Sequence, residues 1–133
     1  MKLVKIVGII FLIYIGFVAL VEFSLGFFQP EEENTFVITT TDEDGNSTDR
    51  VLVRNFRNGQ LYASANHWPR AWYYEALKNP NVQVTIDGVT GRYVAVPVNS
   101  DEHERVAADN PHGVGFYLLV GFAPRKFLRL DPL

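Results

Sequence analysis

An uncharged apolar run near the N-terminus constrains this chain more than any other feature. It extends from Ile6 to Val21, and it can be extended back to Leu3 at the cost of including Lys5. The nineteen residues from Leu3 to Val21 would span ~28 Å as a helix, about the thickness of the hydrocarbon core of a bilayer. The run is apolar on every face, which argues against a helix buried in a soluble core. The sequence therefore predicts a transmembrane helix, with residues 1–29 forming a membrane anchor and an interfacial segment.

The charges that flank this run predict how it sits in the membrane. Lys2 and Lys5 precede it, whereas Glu22 and the acidic residues 31–33 follow it. Positive charge favours the cytoplasmic side, so a cytoplasmic N-terminus is predicted, with the domain on the far side of a lipid membrane. The alternative is a cleaved signal peptide. The run is long for such a peptide, and residues 24–26 offer only a poor cleavage site.

Residues 30–133 have the length of one small domain. They contain ten basic and fourteen acidic residues, and this net negative charge argues against nucleic acid as a partner. The chain has no cysteine, which excludes disulfides and thiolate chemistry. The three histidines stand at 67, 103 and 112, without the close spacing of metal-ligand pairs, so no metal site is predicted.

Alternating and β-branched segments predict a mainly β (α+β) domain. Strands are predicted over residues 35–41, 50–56, 60–65, 82–86, 92–98, 115–122 and 125–130. Asn58-Gly59 is a strong hairpin signal, and Pro97 predicts a strand near a sheet edge. Two short helices are predicted, one between Pro69 and Asn79 and one capped by Ser100. Strands joined by hairpins and short excursions are typical of a closed or half-closed antiparallel barrel.

The stretch from Ser64 to Tyr74 (SANHWPRAWYY) is the most informative for function. It passes from a strand into a helix, and the free N–H groups of a helix start can receive an anion. It offers polar side chains beside aromatic rings, which is the combination that a flavin-like ligand needs. We therefore predict cofactor contacts from Ser64, Asn66, His67, Trp68, Arg70, Trp72 and Tyr73.

Two of these assignments have a structural alternative. Trp72 and Tyr73 are better explained as core residues of an amphipathic helix, because Trp72 and Ala76, and Tyr73 and Leu77, are spaced four residues apart. His67 and Arg70 stand at the helix start and are predicted to contact the phosphate or ring edge of the ligand. No side chain is predicted to be catalytic, because the cofactor would carry the chemistry.

Several short matches resemble the deazaflavin-dependent nitroreductase and quinone reductase family. The match covers roughly residues 36–107, and its most specific part runs from Trp72-Tyr73 to Asn79-Pro80. The other matching residues are Thr39, Thr40, Thr41, Ser64, Leu77, Val82, Val84, Glu104 and Arg105.

The resemblance implies a split antiparallel β-barrel with two short helices. It implies hydride transfer from reduced coenzyme F-420 to a quinone-like or nitro acceptor, and FMN is the alternative cofactor. A membrane anchor would suit a lipid-soluble quinone, and a homodimer is left open.

The sequence departs from the family in one loop. Family members carry a Gly-Arg-Lys-x-Gly loop whose cations hold the cofactor phosphate, but residues 42–46 here read DEDGN, with three acids. Acids repel a polyanionic tail, so Arg70 is predicted to supply the missing cation. A second hypothesis is therefore kept: a non-catalytic, membrane-tethered split-barrel module that binds a ligand or a partner.

Overall fold

The computed structural model describes residues 1–28, 33–66 and 70–133. Helix α1 spans Lys2–Phe27, and the apolar window within it is 0% buried. Within the described ranges it is the one helix long and apolar enough to cross a membrane, a property that signal sequences near an N-terminus share. The predicted boundary after residue 29 lies outside the described residues, so the division into 1–29 and 30–133 remains a prediction.

The rest of the described chain is built on one antiparallel sheet of seven strands, in the order β2-β1-β5-β6-β7-β4-β3. The strands are β1 (Thr35–Thr41), β2 (Ser47–Val53), β3 (Asn55–Arg57), β4 (Gln60–Ala65), β5 (Asn81–Ile86), β6 (Val89–Pro97) and β7 (Lys126–Pro132). Three helices accompany them: α2 (Ala71–Lys78), α3 (Ser100–Asp109) and α4 (Val114–Leu119). The sheet curls into a half-barrel, which confirms the predicted mainly β, split-barrel class.

The core lies inside this curl. In β1 every second residue is buried, so Phe36, Ile38 and Thr40 face inward. Helix α2 closes the core with Trp72 and Ala76, as their spacing predicts. Leu77 is 40% exposed, however, so the second predicted pair contributes little to the core. The remaining buried members come from β4, β5, β6 and β7: Leu61, Ala63, Ala65, Val82, Val84, Ala95, Leu128 and Leu130.

Helix α3 covers the outer face of the sheet through Val106, which packs with Tyr62 and Phe127. Its N-cap is Asn99, whose Oδ1 accepts a hydrogen bond from the Glu102 amide at 2.8 Å. The predicted cap, Ser100, is instead the first residue of the helix. Both side chains can cap a helix, so their order could not be read from composition.

Three elements differ from the prediction. Residues 114–119 form helix α4 and not a strand, because a short apolar run fits either state and tertiary contacts decide it. Hence three short helices, and not two, follow α1 in the described part of the chain. The predicted strand 50–56 is divided into β2 and β3, which lie at opposite edges of the sheet. Strand β6 is central, and Pro97 is its last residue.

One face of α1 packs against the domain. Tyr14 and Val18 are half-buried and Glu22 is 5% exposed, a spacing of four residues that lies on one side of a helix. The Tyr14 hydroxyl donates to the Leu118 carbonyl oxygen at 2.9 Å, and Arg50 Nη2 donates to the Leu25 carbonyl oxygen at 3.3 Å. The anchor helix is therefore docked on α4 and β2.

Candidate functional site

The junction between β4 and α2 holds most of the predicted site residues. Ser64 is buried, and its hydroxyl accepts a hydrogen bond from Asn55 Nδ2 at 2.7 Å. This bond connects β4 to β3 in the interior, so the described contact of Ser64 is structural. His67 and Trp68 lie outside the described residues, and their predicted ligand contacts remain predictions.

Asn66 is fixed by an arginine that the sequence reasoning did not select. Arg125 Nε donates to Asn66 Oδ1 at 3.1 Å, and Arg125 Nη1 donates to the Asn110 carbonyl oxygen at 2.6 Å. The guanidinium also lies 4.9 Å from the ring centroid of Phe127, within cation–π range. Burial lowers the pKa of Arg125, while Tyr117 opposes that shift through its charge and a hydrogen bond. Arg125 therefore joins the β4–α2 junction to the segment before β7.

Arg70 binds the same segment from the other side. It is 3% exposed, and its Nη1 donates to the Pro124 carbonyl oxygen at 2.6 Å. Burial lowers the pKa of this guanidinium, and the nearby Tyr74, Glu22 and Tyr73 act in the opposite direction. Glu22 belongs to α1, so Arg70 connects the site to the anchor. The contact of Arg70 with a phosphate remains a prediction.

Three further rings border this junction. His112 stacks on Phe116, with ring centroids 4.2 Å apart, and Tyr117 meets its edge at 6.3 Å. His112 Nε2 is buried and has no hydrogen-bond partner among the described residues. Burial lowers the pKa of His112, and the positive charge of Arg125 lowers it further. A neutral imidazole with an unused ring nitrogen can donate to or accept from a ligand.

Trp72 and Tyr73 occupy the core side of α2. Trp72 is 6% exposed and belongs to the barrel core, while Tyr73 is half-buried and packs against that core. Their rings meet edge to face with centroids 6.0 Å apart. The core role is thus confirmed for Trp72, whereas Tyr73 only borders the core, and a contact of either ring with a ligand remains a prediction.

An acidic cleft lies at the other end of α2. It has a volume of about 450 Å³ and is lined by Thr41, Asp42, Glu43, Asp44, Glu75, Lys78 and Asn79. Asp42 Oδ1 accepts from the amides of Asp44 and Asn46, both at 2.9 Å, which fixes the turn. The one lysine in the lining, Lys78, lies 3.5 Å from Glu43. Four carboxylates against one ammonium make this cleft unfavourable for a phosphate.

The signals for Arg125, His112 and Tyr117 are weak in the sequence. Arg125 stands 59 residues from Asn66 along the chain, and the β-like run 115–122 suggested a strand where α4 lies. Only the polar Asn110-Pro111-His112 segment before an aromatic run could have directed attention to this region. Among the described residues, no cluster of three potential metal ligands is present.

No protein-family model and no curated protein matches this sequence. Solved structures do match its fold. An F-420-H2-dependent reductase, FDR-A, is 18% identical with a TM-score of 0.58, covering 74% of this chain and 94% of that one. The heme storage protein HutZ from Vibrio cholerae is 19% identical with a TM-score of 0.59, covering 77% and 83%.

A third structure, described as a domain-swapped dimer, is 18% identical with a TM-score of 0.60, covering 76% and 82%. Two of these three proteins are named for different functions, reduction with a deazaflavin and heme storage. At such identities the likeness concerns the fold. The chain adopts the split-barrel fold that these proteins share.

Proposed function

We propose that this protein is a membrane-anchored oxidoreductase of the flavin- or deazaflavin-dependent type, acting on a quinone-like or nitro acceptor. The observation that carries the proposal is the convergence of Asn66, Arg125 and His112 beside the β4–α2 junction. Amide, guanidinium and imidazole groups next to stacked rings suit a flat heterocycle with polar edges. The likeness of the fold to a reductase that uses F-420 supports the same class.

The described residues fit the ring system of such a cofactor better than its tail. Asn66, Arg125 and His112 offer hydrogen-bonding groups, and the predicted contacts of His67 and Trp68 would add a donor and a ring. When bound, a flavin or deazaflavin would supply the hydride. The acidic cleft at residues 42–44 does not fit a phosphate or a polyanionic tail. FMN, with a single phosphate, therefore suits this chain better than coenzyme F-420 does.

The protein groups have separate tasks in this proposal. Arg125 would face the polar edge of the heterocycle and orient it. Arg70, buried against Pro124, would be a positioning residue that holds the segment carrying Arg125. His112, kept neutral by burial, could donate a hydrogen bond to a ring atom without adding a charge.

The anchor supports a lipid-soluble acceptor. Glu22 on α1 acts electrostatically on Arg70, so the junction lies next to the end of the apolar helix. A quinone dissolved in the membrane would have a short route to this site. A cytoplasmic N-terminus with the domain on the far side remains our proposal for the orientation, and protease protection of the domain in sealed vesicles would test it.

A binding titration tests the cofactor proposal. Full-length protein in mild detergent is titrated with FMN and with F-420, following ligand fluorescence. Replacing Arg125 by Gln should weaken binding by about tenfold to a hundredfold, the loss of a charge-assisted hydrogen bond of ~1.5–3 kcal/mol. The matched control is Arg92→Gln on the exposed side of β6, which should bind like the wild type. Melting curves verify that both variants are folded.

The rival function is a non-catalytic module that binds a ligand or a partner, and the acidic cleft favours it. Absence of binding to either cofactor at millimolar concentration would support the rival. A homodimer is a further proposal, supported by the dimeric structure of similar fold, and sedimentation in detergent would test it.

A further inference from the structure

Helix α4 and the turn after it expose large apolar side chains beside the anchor. Val114 is 72% exposed, Leu118 47%, Leu119 44% and Phe122 61%. Four such residues within nine positions of the chain are costly to expose to water, and apolar exposure of this kind usually marks a contact surface. These four residues lie next to α1, and the position of α1 in the membrane indicates what contacts them.

The contacts between α4 and α1 fix the depth of this surface along the anchor. The Leu118 carbonyl oxygen accepts a hydrogen bond from Tyr14, and Gly121 lies so near Val18 that an added Cβ would be 2.9 Å from Cγ1 of that side chain. Val18 and Tyr14 precede Glu22 by four and eight residues, which is ~6 and ~12 Å along a helix axis. Both lie within the apolar run, so α4 is level with residues that the hydrocarbon would surround.

The end of α4 is adapted to an apolar setting. Gly121 has φ +62°, and the Phe122 amide donates to the Tyr117 carbonyl oxygen at 2.8 Å, which is a Schellman-type cap. The Tyr14 hydroxyl satisfies the Leu118 carbonyl, a group that water could not reach inside a bilayer. Phe122 itself has φ +56°, unusual for a bulky residue, and the turn holds its ring outward.

We propose that α4 and Phe122 insert into the acyl-chain region of the membrane leaflet nearest the domain, alongside a spanning α1. The occupant of the apolar surface is thus lipid. This inference rests on the anchor in the proposed function, but it does not depend on the cofactor. Interfacial segments lie ~5–10 Å deep. The level of Val18 falls in this range, and that of Tyr14 is slightly deeper. The surface would also bring Phe116 of α4, and His112 just before this helix, close to a membrane-dissolved acceptor.

Single-cysteine labelling tests the insertion. The chain has no cysteine, so Leu118→Cys and Phe122→Cys each create the one thiol for an environment-sensitive fluorophore. Full-length protein is reconstituted in phosphatidylcholine–phosphatidylglycerol vesicles containing lipids with a nitroxide on the acyl chain. The matched control is Leu77→Cys, a leucine of similar exposure next to the acidic cleft. Phe11→Cys reports on the anchor itself.

We expect blue-shifted emission and several-fold quenching by the nitroxide lipids at 11, 118 and 122, and neither effect at 77. Labels at 118 and 122 that report water while the label at 11 reports lipid would overturn the insertion and leave the anchor intact. A blue shift without lipid quenching at 118 and 122 would mean that protein, such as a second copy, covers the surface, and it also overturns the inference. Absence of lipid quenching at 11 would overturn the anchor and the insertion together.

Discussion

A methyl group at Gly121 should loosen the docking of the anchor on the domain. Gly121 has φ +62°, and a Cβ at this position would lie 2.9 Å from Cγ1 of Val18. Gly121→Ala therefore introduces two costs. One is the left-handed backbone, which costs an alanine ~1–2 kcal/mol, and the other is overpacking against a branched side chain, at ~1–3 kcal/mol.

A second glycine separates these two costs. Gly88 has φ +80°, but a Cβ there would meet nothing within 4 Å. Gly88→Ala should therefore lower the free energy of unfolding by the backbone cost alone. Gly121→Ala should lose more than Gly88→Ala by ~1–3 kcal/mol, the overpacking share.

Denaturant unfolding of full-length protein in mild detergent, followed by tryptophan fluorescence, measures these differences. Combining Gly121→Ala with Val18→Ala should recover most of the overpacking share, since the colliding methyl is removed. Val18→Ala combined with Gly88→Ala should be additive, because those sites share no contact. Equal losses for Gly121→Ala and Gly88→Ala, with no coupling to Val18, would refute the docking of α1 on the turn after α4.

Three further outcomes are expected. Trp72→Ala should lower the free energy of unfolding by ~3–5 kcal/mol, because a large buried ring leaves the barrel core, and an unchanged denaturation midpoint would place Trp72 outside that core. Burial, and then the charge of Arg125, lower the pKa of His112 in the folded protein. As pH falls below 6.5, His112 therefore binds a proton in the unfolded chain while it is still neutral in the folded chain. The free energy of unfolding should therefore decrease as pH falls in that window. His112→Phe, which can keep the stack on Phe116, should make this decrease smaller. An identical pH profile for this variant would show that His112 is not the group responsible. Glu43→Lys and Asp44→Lys should each strengthen binding of the polyanionic F-420 by about two- to fivefold at low salt, without affecting binding of neutral riboflavin. The control Glu104→Lys makes the same charge change on α3 and should strengthen F-420 binding less. Equal gains from all three variants would indicate an effect of net charge alone.

The sequence was sufficient for the elements whose signals are local. The β-branched residues of β1, the Asn58-Gly59 turn and the apolar spacing of Trp72 and Ala76 each predicted what is observed. The half-barrel class followed from the number of strands and their short connections.

The features that the sequence did not predict depend on contacts between residues that are distant along the chain. Residues 114–119 contain apolar and aromatic side chains that suit a strand, and only the packing of α4 on α1 explains the helix. Arg125 gains its role from Asn66 and Asn110, which are 59 and 15 residues away. Tyr14 is one of three aromatic residues in the apolar run, and its spacing does not predict a hydrogen bond to Leu118.

The most direct test of the proposed function is electron transfer across the site. Full-length protein in lipid nanodiscs is mixed anaerobically with reduced FMN or reduced F-420, with or without a short-chain quinone, and the return of the oxidised cofactor's absorbance is followed. We predict oxidation that requires the quinone and that the protein accelerates well above the protein-free rate, which is measured in parallel because free reduced flavin reacts with quinones on its own. Arg125→Gln should lower this acceleration at least tenfold and Arg92→Gln should leave it unchanged, in line with a lost charge-assisted hydrogen bond of ~1.5–3 kcal/mol. Oxidation at the same rate with and without the protein, for both cofactors, would contradict the reductase proposal and favour the binding module.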